Sequence, residues 1–192
     1  MTSRSLREVH ELLTLELVLL DRDGVLNRNL DRGVLHEDDW VWVAGARTAV
    51  RMLADRGLRL MVVTNQGNIG RGLLTVSGLA AIHRRMLREL RSAPLGIADV
   101  LYCPHRPDEG CDCRKPKPGL IHKALENSGV SPRRAILIGD HESDIMAAGA
   151  AGCMSLHVQT GRGGPPGGAP PGYLGIVADL FTAANLLVAP RR

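Results

Sequence analysis

The sequence predicts an α/β protein with a doubly wound parallel sheet and no separate cap domain. Two observations carry that expectation. Short apolar runs without alternation stand at 17–20 and 135–138, and such runs suit strands buried on both faces of a parallel sheet; a further strand is read at 58–63. Each is followed by a stretch of helical patterning, and strands alternating with helices imply parallel pairing. The runs also stop at reactive groups: Asp21 and Asp23, Thr64 and Asn65, and Asp140. In open α/β sheets ligands bind beyond the carboxyl ends of the strands.

The elements follow in order. The first strand, 17–20, ends at Asp21-Arg22-Asp23-Gly24. Residues 45–56 carry Ala46, Ala49, Val50 and Leu53 on one helical side and stop at Gly57. The strand 58–63 precedes Thr64-Asn65-Gln66-Gly67. A second helix is expected over 75–91, capped by Thr75 or Ser77, and a third strand over 98–102. A polar loop, 103–118, leads to a helix over 118–128, with Pro118 in its first turn and Gly129 at its end. A strand at 135–138, a short helix at 144–150 and a strand at 154–158 follow. The Gly/Pro-rich stretch 161–172 reads as a surface loop and 177–187 as a closing helix. No internal repeat is evident. The expected organisation is one domain over 1–192 with its core at about 17–160.

Composition narrows the function classes. With 44% hydrophobic residues the chain can bury a core, and with 3% aromatics Leu, Val, Ile and Ala must fill it. The net charge of +4 is mild and the arginines are scattered. Too few aromatics remain for base-stacking platforms, so nucleic-acid binding is not expected. No apolar run of about 18 residues indicates a membrane span. The stretch 1–16 lacks the apolar core and cleavage site of a signal peptide, so a cytoplasmic protein is expected. The sequence leaves the oligomeric state open, with a monomer as the simpler expectation.

The strand ends assemble a phosphoryl-transfer chemistry. Asp21 and Asp23 stand two residues apart just past a strand. A carboxylate can attack phosphorus covalently, and its repulsion of a phosphate dianion calls for a cation. Asp140 and Asp144 offer further oxygen ligands, a hard set that suits Mg²⁺. Taken alone, Asp-Arg-Asp-Gly is equally readable as a turn. The other strand ends decide against that. Thr64 and Asn65 carry donors for phosphate oxygens, Gly67, Gly70 and Gly72 let backbone N–H groups approach an anion, and Arg114 and Lys115 add cations. Nucleophile, neighbouring acid, hydroxyl, lysine and distal aspartates form a complete set.

Three of the four cysteines crowd into the loop, as Cys103, Cys111 and Cys113 beside His105. In a reducing compartment such crowding reads as metal ligation, and three thiols with one imidazole are a closed Zn²⁺ set. No nucleophile stands nearby for a zinc to activate, so the role read here is structural: it pins a polar loop and thereby places Arg114 and Lys115. Cys153 stands apart as a core thiol. His36, His83, His122 and His157 read as exposed or capping residues. The segment 31–43, with Trp40 and Trp42, has two readings, a flap over the site or ordinary packing.

Leu19-Leu20-Asp21-Arg22-Asp23-Gly24-Val25, Val63-Thr64-Asn65-Gln66, Arg114-Lys115-Pro116 and Ile138-Gly139-Asp140-His141-Glu142-Ser143-Asp144 resemble, in order, the four motifs of the haloacid dehalogenase-like phosphatases. The resemblance implies Asp21 as nucleophile, Asp23 as acid and base, and Thr64 and Lys115 on the phosphoryl group. It also implies Mg²⁺ on Asp21, Asp23 and Asp140 with Asp144 in support, Asp23 through its side chain or main chain. Cys-x-His…Cys-x-Cys-Arg-Lys-Pro resembles the branch that holds the heptose 1,7-bisphosphate phosphatases and the histidinol-phosphate phosphatases. The stretch 64–72 is similar to the heptose enzymes, the short zinc loop to the histidinol-phosphate enzymes, and His141 departs from the former. The substrate implied first is a heptose bisphosphate, with histidinol phosphate or another small metabolite as the alternative. Asn65, Gln66 and Arg114 are the implied substrate contacts, with Asn29, Asp31 and Arg32 facing the cleft.

Overall fold

The computed structural model describes residues 14–90, 97–164 and 167–188. Its strands are β1 (Leu17–Leu20), β2 (Arg59–Asn65), β3 (Asp99–Cys103), β4 (Ala135–Gly139), β5 (Met154–Val158) and β6 (Tyr173–Val177). Its α-helices are α1 (Ala46–Asp55), α2 (Val76–Leu90), α3 (Gly119–Ser128), α4 (Glu142–Ala150) and α5 (Leu180–Val188). All five strand pairings are parallel, in the order β3-β2-β1-β4-β5-β6. Most of the stretch read for a leader, and position 91 of the expected second helix, lie outside the described residues.

The lack of alternation in β1 has a direct cause. Leu17 and Leu19 point into one core with Ile121 and Ala124 of α3 and Ala147 of α4. Val18 and Leu20 point into the other, with Val50 and Leu53 of α1, Met86 of α2 and Ala183 of α5. All four strand residues are fully buried, and truncating one such leucine to alanine costs about 2–5 kcal/mol.

The helix boundaries follow their caps. Thr75 Oγ1 accepts from Gly78 N at 3.0 Å, so Thr75, not Ser77, opens α2. Helix α4 begins two residues before the expected 144. His141 Nδ1 accepts from Ser143 N, and Asp144 Oδ2 accepts from His141 N, each at 3.1 Å, a reciprocal cap. Strand β6 was not expected. It is a half-exposed edge strand, interrupted by Gly175 and shifted in register against β5 between Ser155 and His157, and such a strand carries little pattern. It takes the first residue of the expected 177–187 helix, so α5 starts at Leu180.

Candidate active site

Because every pairing is parallel, β1, β2, β3, β4 and β5 deliver their carboxyl ends to one edge. Strand β1 pairs with β2 on one side and β4 on the other, which sets Asp21 between Thr64 and Asp140. Lys115 arrives from the loop before α3. It is buried, and its Nζ lies 2.9 Å from Asp21 Oδ1, 2.5 Å from Asp144 Oδ1 and 2.8 Å from Val63 O. Asn65 fixes this lysine's backbone from both sides: its Nδ2 donates to Lys115 O at 3.0 Å, and its Oδ1 accepts from Lys115 N at 3.1 Å. A hollow of about 260 Å³ opens over Asp21, Asp23, Thr64, Lys115 and Asp140.

Three carboxylates crowd one lysine. Carboxylate oxygens of Asp21, Asp140 and Asp144 lie within 4.8 Å of one another. Burial first, then the charges of Asp144 and Asp140, push the Asp21 carboxyl up to about 8 against the pull of Lys115. Burial and Asp144 push Asp140 up to about 6. Burial disfavours the Lys115 charge, but Asp144 and Asp21 outweigh it and raise the ammonium above its ordinary value. The excess negative charge is what a hard divalent cation neutralises, so the donor set fits Mg²⁺. Asp140 is held in place from two sides, since Asn29 Nδ2 and Arg162 N donate to its Oδ2 at 3.4 and 3.1 Å. The backbone also closes on it at Gly24 and Gly161, where a Cβ would fall inside the carboxylate.

The Asp23 carboxylate is not among the three convergent ones, although Asp23 lines the same hollow. Arg22 Nε and Nη2 fork onto its two oxygens at 3.1 and 2.7 Å. Gln66 Nε2 donates to it at 3.0 Å and Asn27 Nδ2 at 3.3 Å. Burial opposes the charge, but Arg22 and these donors hold Asp23 below the usual carboxylate range. Gln66 also donates to Thr64 Oγ1 at 3.0 Å. Its amide thus ties Asp23 to Thr64, and Gln66 also lines a hollow beside them. Arg22 is fully buried and its Nη1 lies 3.3 Å from His83 Nε2. Burial and Arg22 push His83 down to about 3, so its ring is neutral.

Cys103, His105, Cys111 and Cys113 converge as expected. Sγ–Sγ separations are 3.6 Å for Cys103–Cys111 and 3.5 Å for Cys111–Cys113, and His105 Nδ1 lies 3.2 Å from Cys113 Sγ. Zinc–sulfur bonds of about 2.3 Å in a tetrahedron give sulfur separations of about 3.8 Å, so the cluster fits Zn²⁺. Burial and the two neighbouring thiols push Cys113 up to about 12, a crowding that a dication relieves. Arg114 Nη1 donates to His105 O at 3.1 Å, which couples the loop to the cleft.

A second hollow of about 370 Å³ adjoins the first and shares Asp23, Asn29, Asn65 and Arg114 with it. Arg32, Arg71, Arg114 and Arg162 line it. Arg32 is held by Asp39 at 2.6 Å and Arg162 by Asp31. Trp40 is buried and Trp42 Nε1 donates to Glu89 of α2 at 2.5 Å. The tryptophans therefore pack, while the start of their segment at 31–33, with Asn29 and Leu30 before it, lines the second hollow.

Sequence reasoning missed Arg22, His83 and the 161–163 turn. The turn was legible in principle, since it follows the end of β5 as the other site loops follow their strands. His83 and His157 are buried, not exposed or capping. His36 and His122 are exposed, and His36 caps a short 3₁₀ turn. Cys153 is the expected core thiol.

This fold and this constellation of strand-end groups define a HAD-like phosphatase. A model described as HAD-hydrolase-like matches residues 112–180. A D-glycero-beta-D-manno-heptose-1,7-bisphosphate 7-phosphatase of Pseudomonas aeruginosa is 40% identical, covering 90% of this chain and 97% of the relative. The one of Bordetella bronchiseptica is 36% identical, covering 91% and 98%. The crystal structure of a D,D-heptose 1,7-bisphosphate phosphatase from B. bronchiseptica, complexed with magnesium and phosphate, superposes with a TM-score of 0.82 at 34% identity, over 91% of this chain and 98% of that one. The chain belongs to the D-glycero-D-manno-heptose 1,7-bisphosphate phosphatase family.

Proposed function

We propose that this chain removes the 7-phosphate of D-glycero-β-D-manno-heptose 1,7-bisphosphate through a phospho-aspartate on Asp21. The observation that carries the reading is the pair of adjoining hollows, one with a carboxylate nucleophile beside a buried lysine, the other lined by four arginines. A substrate with a phosphate at each end fits such a pair. Asp21 attacks phosphorus while Lys115, the Thr64 hydroxyl and nearby N–H groups hold the phosphoryl oxygens. The sugar–oxygen bond to phosphorus breaks, its electron pair stays on the sugar oxygen, and that oxygen takes a proton from Asp23. Asp23 then takes a proton from water, which attacks the phospho-aspartate and frees phosphate and Asp21. The free site holds Asp23 as the carboxylate, the form the second step uses, and the charge of an incoming phosphate raises its proton affinity for the first. Asp21 and Asp140, with Asp144 and the Asp23 main chain in support, would hold Mg²⁺, which would supply the positive charge that offsets the repulsion between these carboxylates and the phosphate.

Arg114 stands where the hollows meet. Its guanidinium is held by a main-chain carbonyl, which leaves its charge for a second anion in a bidentate grip. Zinc on the Cys₃His cluster keeps that loop in place, and its thiols suit a reducing cytoplasm. The reading is tested by assaying heptose 1,7-bisphosphate, its monophosphates and histidinol phosphate with Mg²⁺. The expected result is preference for the bisphosphate, heptose 1-phosphate as product, and no turnover by Asp21→Asn. Preference for histidinol phosphate overturns the substrate, and wild-type turnover by Asp21→Asn overturns the nucleophile.

A further inference from the structure

We infer that His83 is a positioning residue of the phosphatase reaction, acting through the buried Arg22 on Asp23. Arg22 lies between two cleft carboxylates, yet its own side chain has no exposure. A guanidinium has only donors. Nε and Nη2 are used on Asp23, and Nη1 meets His83 Nε2 at 3.3 Å. Nε2 must therefore present its lone pair, with the proton of the neutral ring on Nδ1. His83 is held in turn by α2, whose buried stripe includes Leu79, Ile82 and Met86. Its ring also stands edge-on to Tyr102 of β3, with centroids 6.2 Å apart.

This chain of contacts fixes the plane of the Asp23 carboxylate. Gln66 and Asn27 each give it one bond, whereas Arg22 gives it two parallel bonds that stop rotation. Without an acceptor at position 83, a buried N–H of Arg22 goes unpaired. The guanidinium then turns to find another partner, and the fork on Asp23 opens. Packing alone needs only an apolar side chain of similar size at position 83; a nitrogen lone pair is needed if Arg22 has to be held.

The inference rests on Asp23 as the acid and base, and the test separates the two. Steady-state kinetics of the full chain with Mg²⁺ compare heptose 1,7-bisphosphate, whose alkoxide leaves with a proton, and p-nitrophenyl phosphate, whose phenolate leaves without one. The variants are Asp23→Asn, His83→Phe, His83→Leu and His83→Gln, each checked by thermal melting. General acid help is worth about 10²–10⁴ in rate. Asp23→Asn should thus lose far more kcat/KM on the sugar than on the aryl ester. His83→Phe and His83→Leu should show the same selectivity, with losses of about tenfold on the sugar and under about threefold on the aryl ester, since they misplace the acid without removing it. His83→Gln, whose amide oxygen accepts the same N–H, should recover most of the loss. Equal losses on both substrates in the folded apolar variant, or no recovery by His83→Gln, overturn the role of His83. If Asp23→Asn itself loses equally on both, the reading of Asp23 fails and this one falls with it.

Discussion

A guanidinium shut away from water must be matched bond by bond, and Arg22 shows how much of a site can hide behind its visible residues. From the sequence it is one polar residue between two aspartates. Its burial depends on His83, 61 positions away, and no local pattern reports such a partner. The aspartates themselves were legible because each follows an apolar strand. His83 also leaves a mark on stability. Burial and Arg22 push it down to about 3 from an ordinary 6.5. Between those values the unfolded chain binds a proton that the folded chain does not. Stability therefore falls as pH falls below 6.5, with a slope of up to about 1.4 kcal/mol per pH unit. Denaturant melts of His83→Gln at pH 7, 6 and 5 should show a flatter acid limb than wild type; matching limbs would mean the folded imidazole takes up the proton. Arg114→Ala should raise KM for the bisphosphate by about 2 kcal/mol, roughly thirtyfold, and hurt a monophosphate much less. Similar losses on the two substrates would confine Arg114 to the reacting phosphate.

At the scale of elements, two loops adjoin the two clusters that fit metal ions. The turn after β5 presses Gly161 against Asp140 and sends the Arg162 N–H to its Oδ2. Gly161→Ala should displace that carboxylate and raise the Mg²⁺ concentration for half-maximal rate by about 10–100-fold, the usual cost of disturbing a ligand's support. Magnesium titrations of wild type and variant measure it, and superimposable curves would remove the turn from the site. The zinc loop is too polar to be held by burial. Cys111→Ser should lower the melting temperature by about 2–4 °C for each kcal/mol lost and raise KM for the bisphosphate through Arg114. An unchanged melting curve together with zinc-free protein would refute a structural zinc. Elements with both faces buried were legible, since β1 and β4 are apolar throughout. Strand β6 was not, because half-exposure and Gly175 erase its pattern. The start of α4 was obscured by His141, an uncommon cap.

For the whole molecule, strand order decides which groups meet. One parallel sheet collects Asp21, Thr64, Lys115 and Asp140 from positions spread over more than half the chain. The same order gives β1 neighbours of very different age during synthesis. Strand β2 emerges soon after β1, but Leu17 waits for Ala135, 118 residues later. At about 5–20 residues per second the wait is roughly 6–24 s. Through that interval a growing chain presents one unpaired edge of a wholly apolar strand, the kind of edge that recruits other chains. Chains halted near residue 130 should pellet on release from the ribosome unless a chaperone shields them, whereas the full chain, in which β4 covers that edge and α5 closes the core, should stay in the supernatant.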